Sequence, residues 1–356
     1  MEKAVLSKGK KLKVGWATGK IGLDHPAHRR TLLYYAKKRD IQFEVTDDIN
    51  KTYDIVYVSQ GADITHWVHY KKGKLIYEFS DAYLAESEEM KFKVIFRGLA
   101  KFITGKHRYL RFSYRKALED ILKRADAVLC GTLEQGALIK KYCNNVHYIF
   151  GFHEDDIKKI KKSYSASKPF NLVWEGFPSF DGFVTVNPVL EKLKQRYDVA
   201  LHLVTDIKRG RYLNAYLPVH TKDKIEKTFP FKNVYLYEWN NCMFSNIVTE
   251  CDLGIIPIPM NKPFWVGKPA NKLLLFWRMG IPTLTSATPS YKKIMDECGL
   301  DMTCNSPEEW AYKLEKYLTD ENARRNAGMR AKEFAEAEYG EEKLLSLWDS
   351  AIASAI

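Results

Sequence analysis

An α/β architecture of two doubly wound, Rossmann-like parallel-sheet domains is the fold class this sequence predicts. Three observations lead there. Short apolar strand candidates alternate with helix candidates along most of the chain, which is the pattern of βαβ units and a parallel sheet. The alternation stops at a polar stretch, EDDIKKIKKSYSASKP at 154–169, and starts afresh after it. A chain of 356 residues is too long for one ordinary domain and comfortable for two.

In the first half, LKVGWA (12–17), IQFEVTD (41–47), YDIVYVSQ (53–60), KLIYEFSD (74–81), DAVLCGT (126–132) and VHYIFGF (146–152) read as strands. Helices are expected at 28–39, 115–124 and 133–143. After the polar linker, FNLVWEG (170–176), DVALHLVTD (198–206), NVYLYEW (233–239), DLGIIPI (252–258) and IPTLTS (281–286) repeat the pattern. Helices are expected at 189–196, 241–250 and 271–279, and the last 50 residues read as helical throughout. No short repeat or low-complexity tract interrupts the series. Two such units define a cleft, and ligands of these sheets bind outside the carboxyl ends of the strands.

Hydrophobic residues make up 46% of the chain, enough for two cores. No run of about 18 apolar residues occurs, so no transmembrane helix is expected. The basic start, MEKAVLSKGKKLKVGWA, lacks the apolar region of a secretory signal. Six cysteines form no CxxC pair and read as reduced, mostly buried thiols of a cytoplasmic protein. No His/Cys/Asp cluster has metal-ligand spacing, so no metal is expected. The net charge of +12 is uneven: 30 Lys+Arg against 20 Asp+Glu in residues 1–160, but 26 against 24 in 161–356. The positive field of the first half suits an anionic partner.

The stretch 252–282, DLGIIPIPMNKPFWVGKPANKLLLFWRMGIP, carries the most specific chemistry. It reads as a buried strand, a loop, a helix and a second strand. The helix begins near Asn271, and lysines flank its start. A helix N-terminus with Lys268 and Lys272 beside it suits a diphosphate, and Asn271 suits a phosphate or sugar oxygen. A capped helix with surface lysines is the plain alternative.

In the order of its residues this stretch resembles the donor-binding segment of family-4-like (group 1) GT-B glycosyltransferases. The matching residues are Asp252, Leu253, Gly254, Pro257, Asn271, Lys272, Leu273, Gly280, Ile281 and Pro282. LVWEG (172–176) resembles the opening strand and glycine of that family's donor domain. IYEFSDAYL (76–84) and ADAVLCGTLEQ (125–135) resemble segments of its acceptor domain, and LTDENARRNAGMRAKEFAEAEYG its C-terminal helices. The resemblance implies a GT-B fold with two domains facing across a cleft. It implies an acceptor-binding domain over 1–160 and a nucleotide-sugar-binding domain over 165–340, with the terminal helix 341–356 packing back on the first. A nucleotide-sugar donor, UDP or GDP, is then expected at Gly176, Lys268, Asn271 and Lys272. Lys208 and Arg209, in the loop after LHLVTD, stand in for the family's basic residues after the first donor-domain strand, where FPSFDGF has none. Glu238 and Trp239 end a strand whose loop often meets the nucleotide base in this fold, with a core position as the equal alternative for Trp239. The chain departs from the pattern at the two glutamates usual around the donor helix. Aligned on Gly280, their positions hold Gly267 and Leu275.

Candidates for proton transfer lie in the first half. The turn GWATGKIGLDHPAHRR groups Asp24, His25, His28 and Arg29. Asp24 or His25 suits the role of base on an acceptor hydroxyl, with a turn and helix cap as the alternative. Asp81, at the carboxyl end of YEFSD, is the rival base. Ser59, Gln60 and Gly61 end a neighbouring strand and are candidate substrate contacts.

Residues 91–116, KFKVIFRGLAKFITGKHRYLRFSYRK, hold nine Lys or Arg and no acid. Phe92, Ile95, Phe96, Leu99, Phe102 and Ile103 recur at helical spacing. Arg108, Arg111 and Arg115 make a second basic row. The segment suits a helix lying on an anionic membrane surface, or alternatively one packed on the core with a solvated basic face. No nucleic-acid module accompanies the charge, so no nucleic-acid partner is expected.

The sequence thus points to an enzyme that moves a sugar from a nucleotide-sugar to a glycan or lipid-linked acceptor. A role in surface polysaccharide or glycolipid assembly at the cytoplasmic membrane face follows. The alternative is a catalytically silent GT-B protein that scaffolds a partner enzyme.

Overall fold

The computed structural model describes residues 12–19, 22–23, 25, 28, 30–85, 99–211 and 214–356, with the backbone alone over 209–211 and 214–219. The chain divides into two compact units. The first comprises residues 1–152, 267–269 and 341–356, and the second 153–266 and 270–340.

The first unit is built on a parallel sheet of β1 (Val14–Ala17), β2 (Phe43–Val45), β3 (Ile55–Val58), β4 (Lys74–Phe79), β5 (Ala127–Cys130) and β6 (Val146–Tyr148). Their order is β2-β1-β3-β4-β5-β6, and every pairing is parallel. All four residues of β1, β3 and β5 are buried, which is why they read as continuous apolar runs rather than alternating ones. On one face, Leu75, Tyr77 and Phe79 of β4 pack against Tyr114, Leu118, Ile121 and Leu122 of the helix Tyr114–Arg124. That helix starts where Ser113 accepts from the Lys116 N–H (3.2 Å), an ordinary side-chain cap. On the other face the helix Leu32–Lys38 meets the C-terminal helix Glu341–Ala355. Tyr35 stacks on Trp348, with ring centroids 5.2 Å apart. The Tyr35 hydroxyl donates to Asp349 (2.8 Å), and Arg39 pairs with the same carboxylate (2.6 Å).

The second unit contains β7 (Phe170–Glu175), β8 (Val199–Thr205), β9 (Lys208–Arg211), β10 (Asn214–His220), β11 (Val234–Glu238), β12 (Leu253–Ile256), β13 (Thr283–Ser286) and β14 (Thr303–Cys304). Six of these form a parallel sheet of order β11-β8-β7-β12-β13-β14. Strand order reverses between β7 and β12 here, and between β1 and β3 in the first unit. Those are the switch points at which doubly wound sheets take ligands. Asp252 ties the chain entering β7 to the start of β12, accepting from the N–H groups of Ser167 (3.1 Å) and Asn171 (2.7 Å).

Two expectations change. Lys208 and Arg209 do not lie in a loop. They belong to β9, which pairs antiparallel with β10 in a separate two-stranded sheet, Lys208 opposite His220 and Arg209 opposite Val219. Cross-strand pairing here overrides a basic, glycine-containing sequence that reads as a turn. The helix expected from Val189 begins instead at Phe183 and carries Pro188 inside it. Phe183, Val186, Val189, Leu190 and Leu193 are all buried along one face, and that packing tolerates the missing proline N–H. All six cysteines are free thiols, five of them buried and Cys242 exposed.

Candidate functional site

In the first unit the carboxyl ends of β1, β3 and β4 open into a cleft of about 1310 Å³. Thr18, Gly19, His28, Gln60, Glu78 and Asp81 are among its walls. The two loops at the switch point approach closely. Gly19 has φ +74°, and a Cβ there would sit 2.3 Å from the Gly61 carbonyl oxygen, so only glycine fits. Ser59, at the next strand end, accepts from the indole N–H of the fully buried Trp16 (2.8 Å).

Gln60 organises the floor. Its side-chain oxygen accepts from the backbone N–H groups of Ser80 (2.5 Å) and Asp81 (2.6 Å). Its amide nitrogen donates to Asp81 Oδ2 (3.0 Å). The other oxygen of Asp81 lies 3.3 Å from Lys268 Nζ. Lys268 therefore sits with the first unit. Its short segment is fixed there by Gln135, which donates to the Gly267 carbonyl (3.1 Å).

Glu78 is the group that sequence reasoning missed. It stands one residue from the carboxyl end of β4 and points away from the Leu75–Tyr77–Phe79 face. The Ser80 hydroxyl donates to its Oε1 (3.0 Å). Burial pushes its carboxyl up to about 7, Asp81 adds to the rise, and the neighbouring Tyr57 and Ser80 hydroxyls oppose it. Part of the residue remains open to the cleft, yet protein atoms crowd the carboxyl enough for desolvation to dominate. The signal in the sequence was a carboxylate among the apolar residues 75–79 of a central strand.

Of the other base candidates, Asp24 lies outside the described residues. His25 is exposed, with its backbone N–H on the Gly22 carbonyl (3.1 Å). His28 is 2% exposed and packs edge-on against Trp16. Its Nδ1 lies 3.1 Å from the Gly22 carbonyl oxygen, which only accepts, so Nδ1 carries the proton. Burial lowers its pKa, with His25 adding to the effect, which favours the neutral ring and leaves Nε2 as an acceptor.

In the second unit, Gly176 follows β7 at the switch point. A Cβ on it would lie 2.0 Å from Lys272 Nζ. The lysine can occupy this place only because residue 176 has no side chain. Lys272 Nζ donates to the Glu175 carbonyl (3.0 Å) and lies 5.4 Å from the centre of the Trp174 ring. Asn271 and Lys272 open the helix Asn271–Arg278, whose cap residue is Ala270, with no side-chain oxygen to offer. Helix dipole, first-turn N–H groups and one ammonium thus converge, a combination that suits an anion. Glu238 is exposed at the end of β11. Trp239 donates its backbone N–H to Thr205 (3.1 Å) and tilts against Phe244. Lys208 is exposed, and Arg209 is described by its backbone only.

Residues 91–98 of the basic segment lie outside the described residues. Beyond them, Phe102 (40%), Ile103 (66%), Leu110 (40%) and Phe112 (67%) are exposed. Tyr114, buried at 2%, anchors this surface to the core, with Lys101 Nζ 3.7 Å from its ring centre and His107 stacked on it. The basic row is partly spent inside the protein. Arg108 pairs with Asp47 (2.6 Å) and Arg115 with Glu119 (3.3 Å). Among the described residues no helix is long and apolar enough to cross a membrane, and no group of three or more His, Cys, Asp or Glu is placed to hold a metal ion.

Neither a protein-family model nor a curated protein matches the chain. Solved structures do. TarM superposes with a TM-score of 0.58 at 12% identity, over 90% of this chain and 57% of TarM. The chain therefore spans little more than half of TarM's length. A mutant of S. aureus TarM has also been crystallised with fondaparinux, α-GlcNAc-glycerol and UDP. WaaG, a glycosyltransferase involved in lipopolysaccharide biosynthesis, matches with a TM-score of 0.56 at 15% identity, over 96% of this chain and 99% of WaaG. A Listeria monocytogenes protein assigned as a UDP-N-acetylglucosamine 2-epimerase matches with a TM-score of 0.53 at 12% identity, over 98% of both chains. The chain has the GT-B fold of two Rossmann-like units. At these identities the likeness speaks for fold alone.

Proposed function

We propose that the protein transfers a sugar from a nucleotide-sugar to a hydroxyl acceptor. The second unit would hold the donor, and the cleft of the first would hold the acceptor. The observation that carries this reading is the Gly176–Lys272 arrangement at the β7/β12 switch point, where an ammonium and an uncapped helix start converge. Lys272 and the helix N–H groups stabilise the diphosphate as it departs, by charge already in place. Asn271 orients it. Lys208, Arg209, Glu238 and Trp239 are proposed contacts for the rest of the nucleotide, and a uridine or guanosine diphosphate is the preferred donor.

The acceptor is a glycan or a lipid-linked sugar. The exposed Phe102, Ile103, Leu110 and Phe112, with basic side chains around them, support docking on the anionic cytoplasmic face of a membrane. Such a protein belongs in the assembly of a surface polysaccharide or glycolipid. One observation favours a second reading, a silent scaffold: Gly267 and Leu275 stand where related enzymes carry glutamates.

A panel of UDP-, GDP-, dTDP- and CMP-sugars separates the two. One of them is expected to raise the melting temperature and to be consumed with release of its nucleotide. Thermal stabilisation without turnover supports the scaffold, and neither effect with any donor removes the transferase reading.

A further inference from the structure

A carboxylate inside a parallel sheet is costly unless a cation neutralises it. Among the described residues Glu78 has no such partner. Lys268, the nearby cation of this floor, is directed at Asp81 instead. Among the described residues no ion pair reaches Glu78.

Among the described residues, the groups that act on the Glu78 carboxyl are neutral or negative, and Lys51, Lys101, Lys106 and Arg108 line other parts of the cleft. Tyr57 comes from β3, Tyr77 is its neighbour on β4, Ser80 follows the strand, and Asp81 adds repulsion. Among the described residues, the Ser80 hydroxyl donates to it (3.0 Å), and the Tyr57 hydroxyl and Gln60 N–H nearby also favour its charged form. A purely structural role would be filled better by glutamine or an apolar residue of the same size, since the core gains nothing from the charge. Asp81, by contrast, has both oxygens engaged, one by Gln60 at 3.0 Å and one by Lys268 at 3.3 Å. His25 is exposed, and His28 has its Nδ1 committed to Gly22.

We infer that Glu78 is the catalytic base of the first unit's cleft, the group that takes the proton from the acceptor hydroxyl. The inference rests on the transferase reading. In the step, the acceptor oxygen bonds to the anomeric carbon while the bond from that carbon to the diphosphate oxygen breaks. The electron pair leaves with the diphosphate, and the hydroxyl proton passes to the Glu78 carboxylate. Asp81 is a positioning residue, since Gln60 ties it to the same floor and its charge keeps Glu78 basic.

The balance of that step holds equally for water as acceptor, so it is testable before the natural acceptor is known. The experiment follows nucleotide release by the full chain from the donor that stabilises it. It is run with water alone and with simple glycosides, from pH 5.5 to 9, for the wild type, Glu78→Gln and Glu78→Asp. The wild-type rate is expected to rise with pH around a midpoint near 7. Glu78→Gln, which keeps size and shape, is expected to lose roughly 10²–10⁴-fold in rate and the acid limb with it, while donor binding stays unchanged. Glu78→Asp is expected to keep part of the rate with a displaced midpoint. A Glu78→Gln protein with the wild-type rate and midpoint overturns the inference and leaves the transferase reading standing. A wild type that binds donor yet never releases nucleotide overturns the transferase reading, and this inference falls with it.

Discussion

The two switch points of this molecule have opposite chemistry. Around β1/β3 the strand ends present a neutral histidine and a hydrogen-bonding glutamine, and the adjoining β4 adds two carboxylates. At β7/β12 they present a glycine, an ammonium and a helix start. The difference follows from what each loop admits. Gly176 leaves room for Lys272 to reach the backbone, so positive charge gathers over the strand end. In the first unit Gly19 and Gly61 bring two loops together, and the side chains left at the floor are Glu78, Ser80 and Asp81. One unit is equipped to hold an anion and the other to move a proton. A transferase needs both, and a scaffold needs neither.

Breaking the anion side is expected to have the largest effect after removal of the base. Lys272→Ala removes a charge-assisted contact, worth about 1.5–3 kcal/mol, so donor affinity in calorimetry should fall roughly 10- to 100-fold. Gly176→Val should act on the same site from the other partner. Its side chain displaces Lys272 Nζ, and donor binding should fall by a similar factor with the helix content intact.

The proton side has a signature in stability as well as in rate. Glu78 titrates higher in the folded chain, about 7, than its ordinary 4.5. The native state therefore binds the proton more tightly than the unfolded one. Stability should fall as pH rises from 4.5 to 7 and level off above. Glu78→Gln removes that cost and should be more stable than the wild type at pH 8 by about 1–3 kcal/mol, discounted for the part of the residue open to the cleft. The two should be nearly equal at pH 4.5, which urea unfolding at both pH values checks.

The smallest effect is expected at the exposed apolar surface. Ile103→Ser with Phe112→Ser should change stability by less than about 0.5 kcal/mol, because both side chains already face solvent. The pair should nonetheless weaken flotation with phosphatidylserine-containing vesicles. Unchanged flotation would remove this surface as a membrane contact.

The sheets were legible because their strands are buried on both faces and read as apolar runs between turns. β1, β3 and β5 are the clearest cases. The helix Asn271–Arg278 was equally legible, from Asn-Lys at its start to Gly280 after its end. What escaped depends on contacts far apart in sequence. The pairing of β9 with β10 is set by tertiary context. The partner of Arg108 is Asp47, 61 residues away, so a row that looked free for headgroups is partly used within the protein. Asp81 looked like a base because it ends a strand, and only the structure reveals how Gln60 and Lys268 engage both its oxygens. Glu78 was hidden for the converse reason. Strand alternation with Leu75, Tyr77 and Phe79 tells which face Glu78 takes, but not which charged groups lie near it.

The most direct measurement follows the sugar itself. The full chain is incubated with the stabilising nucleotide-sugar, isotopically labelled in its sugar, and with a membrane glycolipid and glycan extract. Label should move into the glycan or lipid fraction in step with nucleotide release, and Lys272→Ala should abolish both. Bound donor whose label never leaves the nucleotide, or transfer that survives Lys272→Ala undiminished, would contradict the account.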